Sequence, residues 1–477
     1  MQNFETNKVY SVDDLPKVLL NHLLPFFDVD SFMKFSSTNK KYKNCFLEVR
    51  NLFVFLNESG FLKNHLQIKD PKEKRNFFFQ NLLKKELSSF KDKDNVSLLH
   101  LACKIKNQFE IIKYLVENKS DLKAKNNNSY TPLHYACLNK DVSFQVIEYL
   151  VESKSDLNSK SKQQYIPLHL ACINENISLQ TMKYLIDNKS DINSENKSDE
   201  LTPLIIAIYK EKVSNEIIEL LIENKSDLNV KQGYTNNTPL HILCVKNLSF
   251  RLIKCLIENQ SDVNAKNRDN NSPLLLALKN ERISHEIVKY LVETKSEVNS
   301  PNLVNDTPLL LACENKNLSH ETIKFFIENK SDLNSVNNHK IGALHKACYN
   351  NNISLETIKL LVDIKMDINA KAFEKYTPLH TAASNRKISL EIIQFMIENQ
   401  ADINAKTLLH DTPLHRACEN QEISLEIIRF MIENKADPFL ENSRFRNSFL
   451  VAYLNKTLKP EIKEYLKQKE NEIKKQK

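Results

Sequence analysis

The sequence predicts an all-α fold: a helical solenoid of about eleven units behind a separate three-helix N-terminal module. Three observations carry this. A Thr-Pro-Leu-His phrase recurs, with drift, from Ser97, Thr131, Ile166, Thr202, Thr238, Ser272, Thr307, Gly342, Thr377, Thr412 and Ser448, at spacings of 34–36 residues. Each interval holds two stretches with helix-start signals and one polar loop. The 477 residues include only three glycines, Gly60, Gly233 and Gly342. That scarcity excludes glycine-rich phosphate loops, a nucleophile elbow and a run of tight primed hairpins.

Residues 1–60 stand outside the period. Leu15, Leu19, Leu20, Leu23 and Phe27 recur at helical spacing, Asp28–Asp30 breaks the helix and caps the next, and Phe32 and Phe35 open a second amphipathic helix. A third helix is expected from about Lys41 to Leu56. Leu15-Pro16, the apolar residues at Leu20, Leu23 and Phe27, the acidic turn, Phe32-Met33-Lys34-Phe35-Ser36 and the basic-aromatic Lys40-Lys41-Tyr42 together resemble an F-box over residues 15–42. Two residues depart from that pattern: Val18 stands where the family has Glu, and Pro25 falls inside the first helix. The resemblance implies docking on a Skp-type adaptor of a cullin–RING ubiquitin ligase through Leu15, Pro16, Leu20, Leu23, Phe27, Phe32 and Phe35. A helical cap over the first repeat is the competing reading.

Residues 61–96 read as a helical bridge and a degenerate capping repeat. Asn76–Leu83 forms an apolar helix, and Phe90-Lys91-Asp92-Lys93-Asp94-Asn95 imitates the loops between later units.

Within residues 97–454 the unit starting at Thr131 is representative. Thr131 suits an N-cap and Pro132 the first helical position, where its missing N–H costs nothing. A short first helix to about Asn139 follows. Ser143 caps a second helix whose Ile147, Leu150 and Val151 form a buried stripe. Serine recurs at that cap, followed two residues later by Glu216, Glu286, Glu321, Glu356, Glu391 or Glu426 in most units, where a helix dipole favours negative charge. One such helix pair cannot bury its own apolar face, so neighbours must stack. The phrase Thr-Pro-Leu-His-x-Ala-Cys followed by x-Asp-Leu-Asn resembles the ankyrin repeat. The period here is about two residues longer than that family's, and the surplus falls between the helices, as in Asn315-Lys316-Asn317-Leu318-Ser319. The glycine that the family places after the second helix is missing. Lys154, Lys189, Lys225, Gln260, Lys295, Lys330, Lys365, Gln400 and Lys435 occupy its place. Either the preceding asparagine shares the turn or each unit carries strain. Beyond the array, residues 455–477 read as a charged capping helix from Pro460 that ends in a basic tail.

His-x-x-Cys pairs recur at His100/Cys103, His134/Cys137, His169/Cys172, His241/Cys244, His345/Cys348 and His415/Cys418. Each offers two ligands with partners a full repeat away, and Ile205, Leu275 and Leu310 replace the histidine elsewhere. They therefore read as packing and hydrogen-bonding positions, with no metal and no cofactor. Nine cysteines without a signal sequence suit a reducing compartment, so a cytoplasmic or nuclear location is expected. No apolar run is long enough to span a membrane. The net charge of +7 sits at the edges: residues 61–96 and 455–477 carry +4 each, residues 1–60 are neutral, and residues 97–454 therefore carry −1. That distribution argues against a nucleic-acid stripe.

No catalytic constellation stands out and no small-molecule substrate is implied. The reading is a non-enzymatic interaction protein: an SCF-type substrate receptor if the F-box resemblance holds, and otherwise an ankyrin scaffold without a ubiquitin link. Partner contacts are expected where otherwise regular units vary. These are the loop tips at Tyr130, Gln164, Glu200, Asn236, Arg268, His339, Lys375 and His410, and the positions ending helix one, such as Leu138, Val245, Glu314 and Tyr349.

Overall fold

The computed structural model describes residues 91–476 apart from Lys93, Asn107, Glu211, Asn247 and Leu248. The F-box-like segment with its seven docking positions, and the bridge up to residue 90, lie outside the described residues. The chain divides into two compact units, Met1–Asp227 and Leu228–Lys477. Among the described residues there are 22 α-helices and no strand; two isolated bridges, Lys91 with Ser97 and Gln232 with Asn237, are the only extended pairings.

In the first unit, α1 (Leu98–Lys104), α3 (Pro132–Leu138), α5 (Pro167–Ile173) and α7 (Pro203–Tyr209) are the seven-residue first helices of successive repeats. Their nine-residue partners are α2 (Phe109–Glu117), α4 (Phe144–Glu152), α6 (Leu179–Asp187) and α8 (Asn215–Glu223). The second unit continues the alternation. Its first helices are α9 (Pro239–Lys246), α11 (Pro273–Lys279), α13 (Pro308–Glu314), α15 (Ala343–Tyr349), α17 (Pro378–Ser384), α19 (Pro413–Glu419) and α21 (Ser448–Leu454). Its second helices are α10 (Phe250–Glu258), α12 (His285–Glu293), α14 (His320–Glu328), α16 (Leu355–Asp363), α18 (Leu390–Glu398), α20 (Leu425–Glu433) and the longer α22 (Pro460–Gln476). First helices pack on first helices of the adjoining repeat within each unit. The core lies between the two layers: Leu133, Ala136, Cys137, Ile147 and Leu150 are each fully buried in the representative repeat. Val146 joins that core, whereas Val151 is only half-buried. The eleventh phrase is shifted by one residue: Asn447 is the N-cap of α21, its side chain accepting from Leu450 N–H, and Ser448 is the first helical residue.

Polar ladders repeat with the helices. The histidine of each Thr-Pro-Leu-His phrase plays the part that Glu or Gln takes in a capping box. His134 Nδ1 accepts the Thr131 N–H at 3.0 Å and lies 2.8 Å from the Thr131 hydroxyl, while Nε2 lies 3.0 Å from the Tyr165 carbonyl of the next repeat. A backbone N–H can only donate and a carbonyl can only accept, so the ring must be the neutral Nε2–H tautomer. His100, His169, His241, His345, His380 and His415 repeat this bridge, to Tyr130, Leu201, Asn271, Tyr376, Asp411 and Arg446. Burial holds His134, His169, His241 and His380 down to about 4, against a smaller upward pull from the carbonyl each one meets. Ile205, Leu275 and Leu310 take the same place as buried apolar groups.

The two surplus residues of the period hold a second ladder. Asn315 ends α13, and its Nδ2 donates to the Leu278 and Asn280 carbonyls of the preceding repeat at 2.7 and 3.1 Å, while its Oδ1 accepts from Asn317 N–H. Asn139, Asn174, Asn280, Asn350, Asn385, Asn420 and Asn455 do the same in their repeats. Lys210 and Lys246 stand at the corresponding places in the repeats begun by Thr202 and Thr238.

The missing glycines resolve into a strained but braced turn. Lys154, Lys189, Lys225, Lys295 and Lys330 all have positive φ, between 62° and 72°, and Gln260 and Gln400 reach 71° and 70°. The preceding asparagine does not share the left-handed conformation: Asn188, Asn224 and Asn329 keep φ of −84°, −95° and −90°. Its Nδ2 instead donates to an orphan helix carbonyl four residues back, as Asn329 does to Phe325 at 2.8 Å. Two backbone bonds complete a Schellman motif: Lys330 N–H to Ile327 and Ser331 N–H to Phe326, both at 3.1 Å. A third asparagine braces the turn from the preceding repeat. Asn299 Nδ2 donates to the Lys330 carbonyl at 3.1 Å, and its Oδ1 accepts the Asp332 N–H at 2.7 Å. A left-handed non-glycine residue costs on the order of 1 kcal/mol, and three or four hydrogen bonds at ~1 kcal/mol each outweigh that.

Candidate functional site

The loops between repeats end in tight turns whose tips line up. Within the first unit, Asn127 N–H donates to Asp94 O, Lys162 to Asn128 and Lys197 to Gln163, at 2.8–3.0 Å. Within the second, Arg268 donates to Thr235, Leu303 to Asp269, Asn338 to Val304, Phe373 to His339, Leu408 to Glu374 and Ser443 to Leu409, at 2.7–3.1 Å. These bonds fix each tip against the next and make a row of regularly spaced side chains.

The sequence-predicted tip residues fall on this row but differ in role. Gln164, Glu200, Asn236, Lys375 and His410 are themselves the left-handed turn residues, with φ between 54° and 63°. Glu200, Asn236, Lys375 and His410 are exposed, and Gln164 is half-buried. Tyr130 follows the turn residue Ser129 and is half-buried, edge-on to the His134 ring at 5.2 Å. Arg268 places its guanidinium 4.1 Å from the centre of the Tyr234 ring, and His339 meets Phe373 edge-on at 6.0 Å. Residue-by-residue reading passed over the apolar neighbours. Tyr234 and Phe445 are 82% and 81% exposed, and Leu303 and Phe373 more than half exposed. Their signal was an apolar residue at the turn position itself, as Phe445, or one or two positions before it, as Tyr234, Leu303 and Phe373, in an otherwise polar loop. Among the described residues only Leu138 and Leu179 of the strongly exposed large apolar side chains belong to the first unit, against thirteen in the second. Exposed large apolar side chains concentrated on one surface mark contact sites in soluble proteins.

The exposed ends of the first helices border the row. Leu138, Val245 and Tyr349 are exposed there, and Glu314 is half-buried. In the second unit this face carries two braced cations. Lys346 Nζ lies 2.7 Å from Glu314 Oε2 and 3.8 Å from Asp306 Oδ1. Arg416 bonds Asp411 at 2.8 Å and Glu419 at 2.7 Å, with its guanidinium 5.0 Å from the Tyr376 ring centre. Between them opens a concavity of about 520 Å³ whose walls include Tyr349, Phe373, Tyr376, Glu314 and Glu374.

The His-x-x-Cys positions gather nothing comparable. Cys103, Cys137, Cys172, Cys244, Cys313, Cys348 and Cys418 are buried free thiols, and burial pushes those of Cys137, Cys244, Cys313 and Cys418 up to about 12. Among the described residues no group of three or more His, Cys, Asp and Glu could hold a metal ion, and no helix is long and apolar enough to cross a membrane.

A family profile described as ankyrin repeats (3 copies) matches residues 72–161, 143–232, 213–302, 284–372, 309–407 and 344–442 in overlapping copies. The crystal structure of the human ASB11 ankyrin repeat domain aligns with 49% of this chain and 97% of that one, at 20% identity and a TM-score of 0.42. No curated protein matches the chain. Period, capping phrase, helix pairing and the family match agree: this chain belongs to the ankyrin-repeat family.

Proposed function

We propose that this chain is a non-enzymatic interaction protein that holds a protein partner along the loop tips and first-helix faces of its repeats, chiefly in the second unit. The concentration of exposed apolar side chains on that row carries the reading: Tyr234, Leu303, Phe373, Leu408 and Phe445 sit on a bonded framework where polar residues would be cheaper in water. We further propose that the F-box-like segment links that partner to a cullin–RING ligase through a Skp-type adaptor. The support is the ordered pattern Leu15-Pro16, Leu20, Leu23, Phe27, Phe32 and Phe35.

Two measurements on the full chain test the two parts. Purified adaptor should be retained by the wild type and lost with Leu15→Ala/Pro16→Ala; failure of the wild type to retain it removes the ligase link and leaves a plain ankyrin scaffold. Proteins crosslinked to the wild type in cells should include a set lost with Leu303→Asp/Phe445→Asp. An unchanged set in that variant refutes the tip row as the contact surface. Retention that falls steeply with salt would instead point to nucleic acid.

A further inference from the structure

The fifth residue of the Thr-Pro-Leu-His-x phrase is Lys346 in the repeat of α15 and Arg416 in that of α19. Each reaches an acidic residue placed just before a helix one and another at a helix-one end: Asp306 and Glu314 for Lys346, Asp411 and Glu419 for Arg416. The repeat between them has Thr381 in this position. At this short side chain the surface opens into the 520 Å³ concavity, which Thr381 and Ser384 line together with residues of the two preceding repeats.

The walls are those of a cation site. Tyr349, Phe373 and Tyr376 contribute aromatic rings, and Glu314 and Glu374 contribute carboxylates. Lys346, also at the wall, has a side chain only 11% exposed and is already held by two carboxylates. Among the lining groups the carboxylates of Glu314 and Glu374 thus outnumber the one ammonium. Lys340 and Lys375, exposed on adjacent tips, do not line it. The chain itself uses this chemistry one step away, where the Arg416 guanidinium lies by the Tyr376 ring between two carboxylates, and again where Arg268 stacks on Tyr234. A planar guanidinium fits rings and carboxylates together better than a compact, strongly hydrated ammonium.

We propose that this concavity receives an arginine side chain of the partner protein, its guanidinium among the rings of Tyr349, Phe373 and Tyr376 and facing Glu314 and Glu374. The inference rests on the interaction reading above and names the chemistry of one contact.

The test is saturation-transfer NMR on the full chain with millimolar Nα-acetyl-arginine N-methylamide as probe, and its citrulline and lysine counterparts as controls. Citrulline keeps the shape and loses the charge. The arginine probe is expected to show about five-fold more saturation than citrulline, and more than lysine. Thr381→Arg, which supplies in cis the cation its neighbours carry, and Phe373→Ala, at a 62% exposed position, should each reduce the arginine signal to the citrulline level with an unchanged circular dichroism spectrum. Equal signals from arginine and citrulline, no saturation at all, or a signal that survives Phe373→Ala would overturn the proposal. If the tip variants still lose crosslinked partners while the arginine probe fails, the site is wrong and the interaction surface stands.

Discussion

Acidification from about pH 7 to about pH 5.5 is expected to destabilise both units, and the bridging histidines set the size of the loss. His134 and His169 in the first unit and His241 and His380 in the second are held near 4 by burial, well below the ordinary 6.5. Protonation is blocked on both sides of each ring: Nδ1 faces an N–H that cannot accept, and Nε2 already spends its proton on a carbonyl. The unfolded chain therefore binds more protons than the folded one between pH 6.5 and 4, so stability is full above that window and falls as pH drops through it. At pH 5.5 each such histidine costs RT ln(1 + 10), about 1.4 kcal/mol, or about 3 kcal/mol per unit from these four alone. His100, His345 and His415 are shifted in the same direction. Carboxylates titrate mostly below this window, which leaves the histidines as the main cause. Urea unfolding followed by circular dichroism at 222 nm measures the effect, since the chain has no Trp to report by fluorescence. His380→Leu, which copies Leu275 and Leu310, should remove part of the pH dependence in the second unit. A midpoint that is flat or rises between pH 7 and 5.5 would refute the tautomer assignment.

Three further outcomes follow from the ladders. Asn350→Ala should cost about 2–4 kcal/mol, because it strands the buried Cys313 and Asn315 carbonyls and frees the Asn352 N–H; a loss below ~1 kcal/mol in urea melts would show that the ladder is dispensable. Gly342→Thr should stabilise by about 0.5–1.5 kcal/mol: φ is −98°, an added Cβ meets nothing nearer than Val336 at 3.7 Å, and the hydroxyl can reach His345 Nδ1 as Thr377 reaches His380. Lys330→Gly, at φ 62°, should raise the melting temperature through up to ~1 kcal/mol of relieved strain, and a lower one would mean that the braces already remove the strain.

Much of this architecture was legible because the repeat multiplies every signal. The caps at Thr131 and Ser143, the short first helix and the structural role of His and Cys each appear several times over, so drift at Ile166 or Leu275 reads as tolerance. Serine at the second cap carried less than its recurrence suggested: Ser178, Ser284, Ser354 and Ser424 accept a backbone N–H in the first turn, whereas the side chains of Ser143, Ser214 and Ser389 accept none. The abundance of asparagine was open to a compositional explanation from sequence alone. Its two ladders between repeats depend on contacts 31 to 37 residues apart, which no local pattern encodes. The one-residue slip at Asn447 arose because Ser448 matched the phrase better than the true cap did. The candidate surface was legible as a place and not as a chemistry. Turn positions such as Gln164 and His410 vary freely on a left-handed backbone, while the apolar side chains beside them become a row only once the tips are bonded together.

The buried thiols give the array a built-in record of its own opening. One cysteine sits fully enclosed in the first helix of seven repeats, while Cys255 is half-buried on a second helix. Only the thiolate reacts with alkylating agents, and burial suppresses it, so each thiol is chemically silent while its repeat is closed. Breathing of a single repeat, end fraying and global unfolding would therefore leave different mass-spectrometric labelling patterns at Cys103, Cys137, Cys172, Cys244, Cys313, Cys348 and Cys418. The unmodified protein thus carries a set of local clocks from which the stability of individual repeats along each unit can be timed.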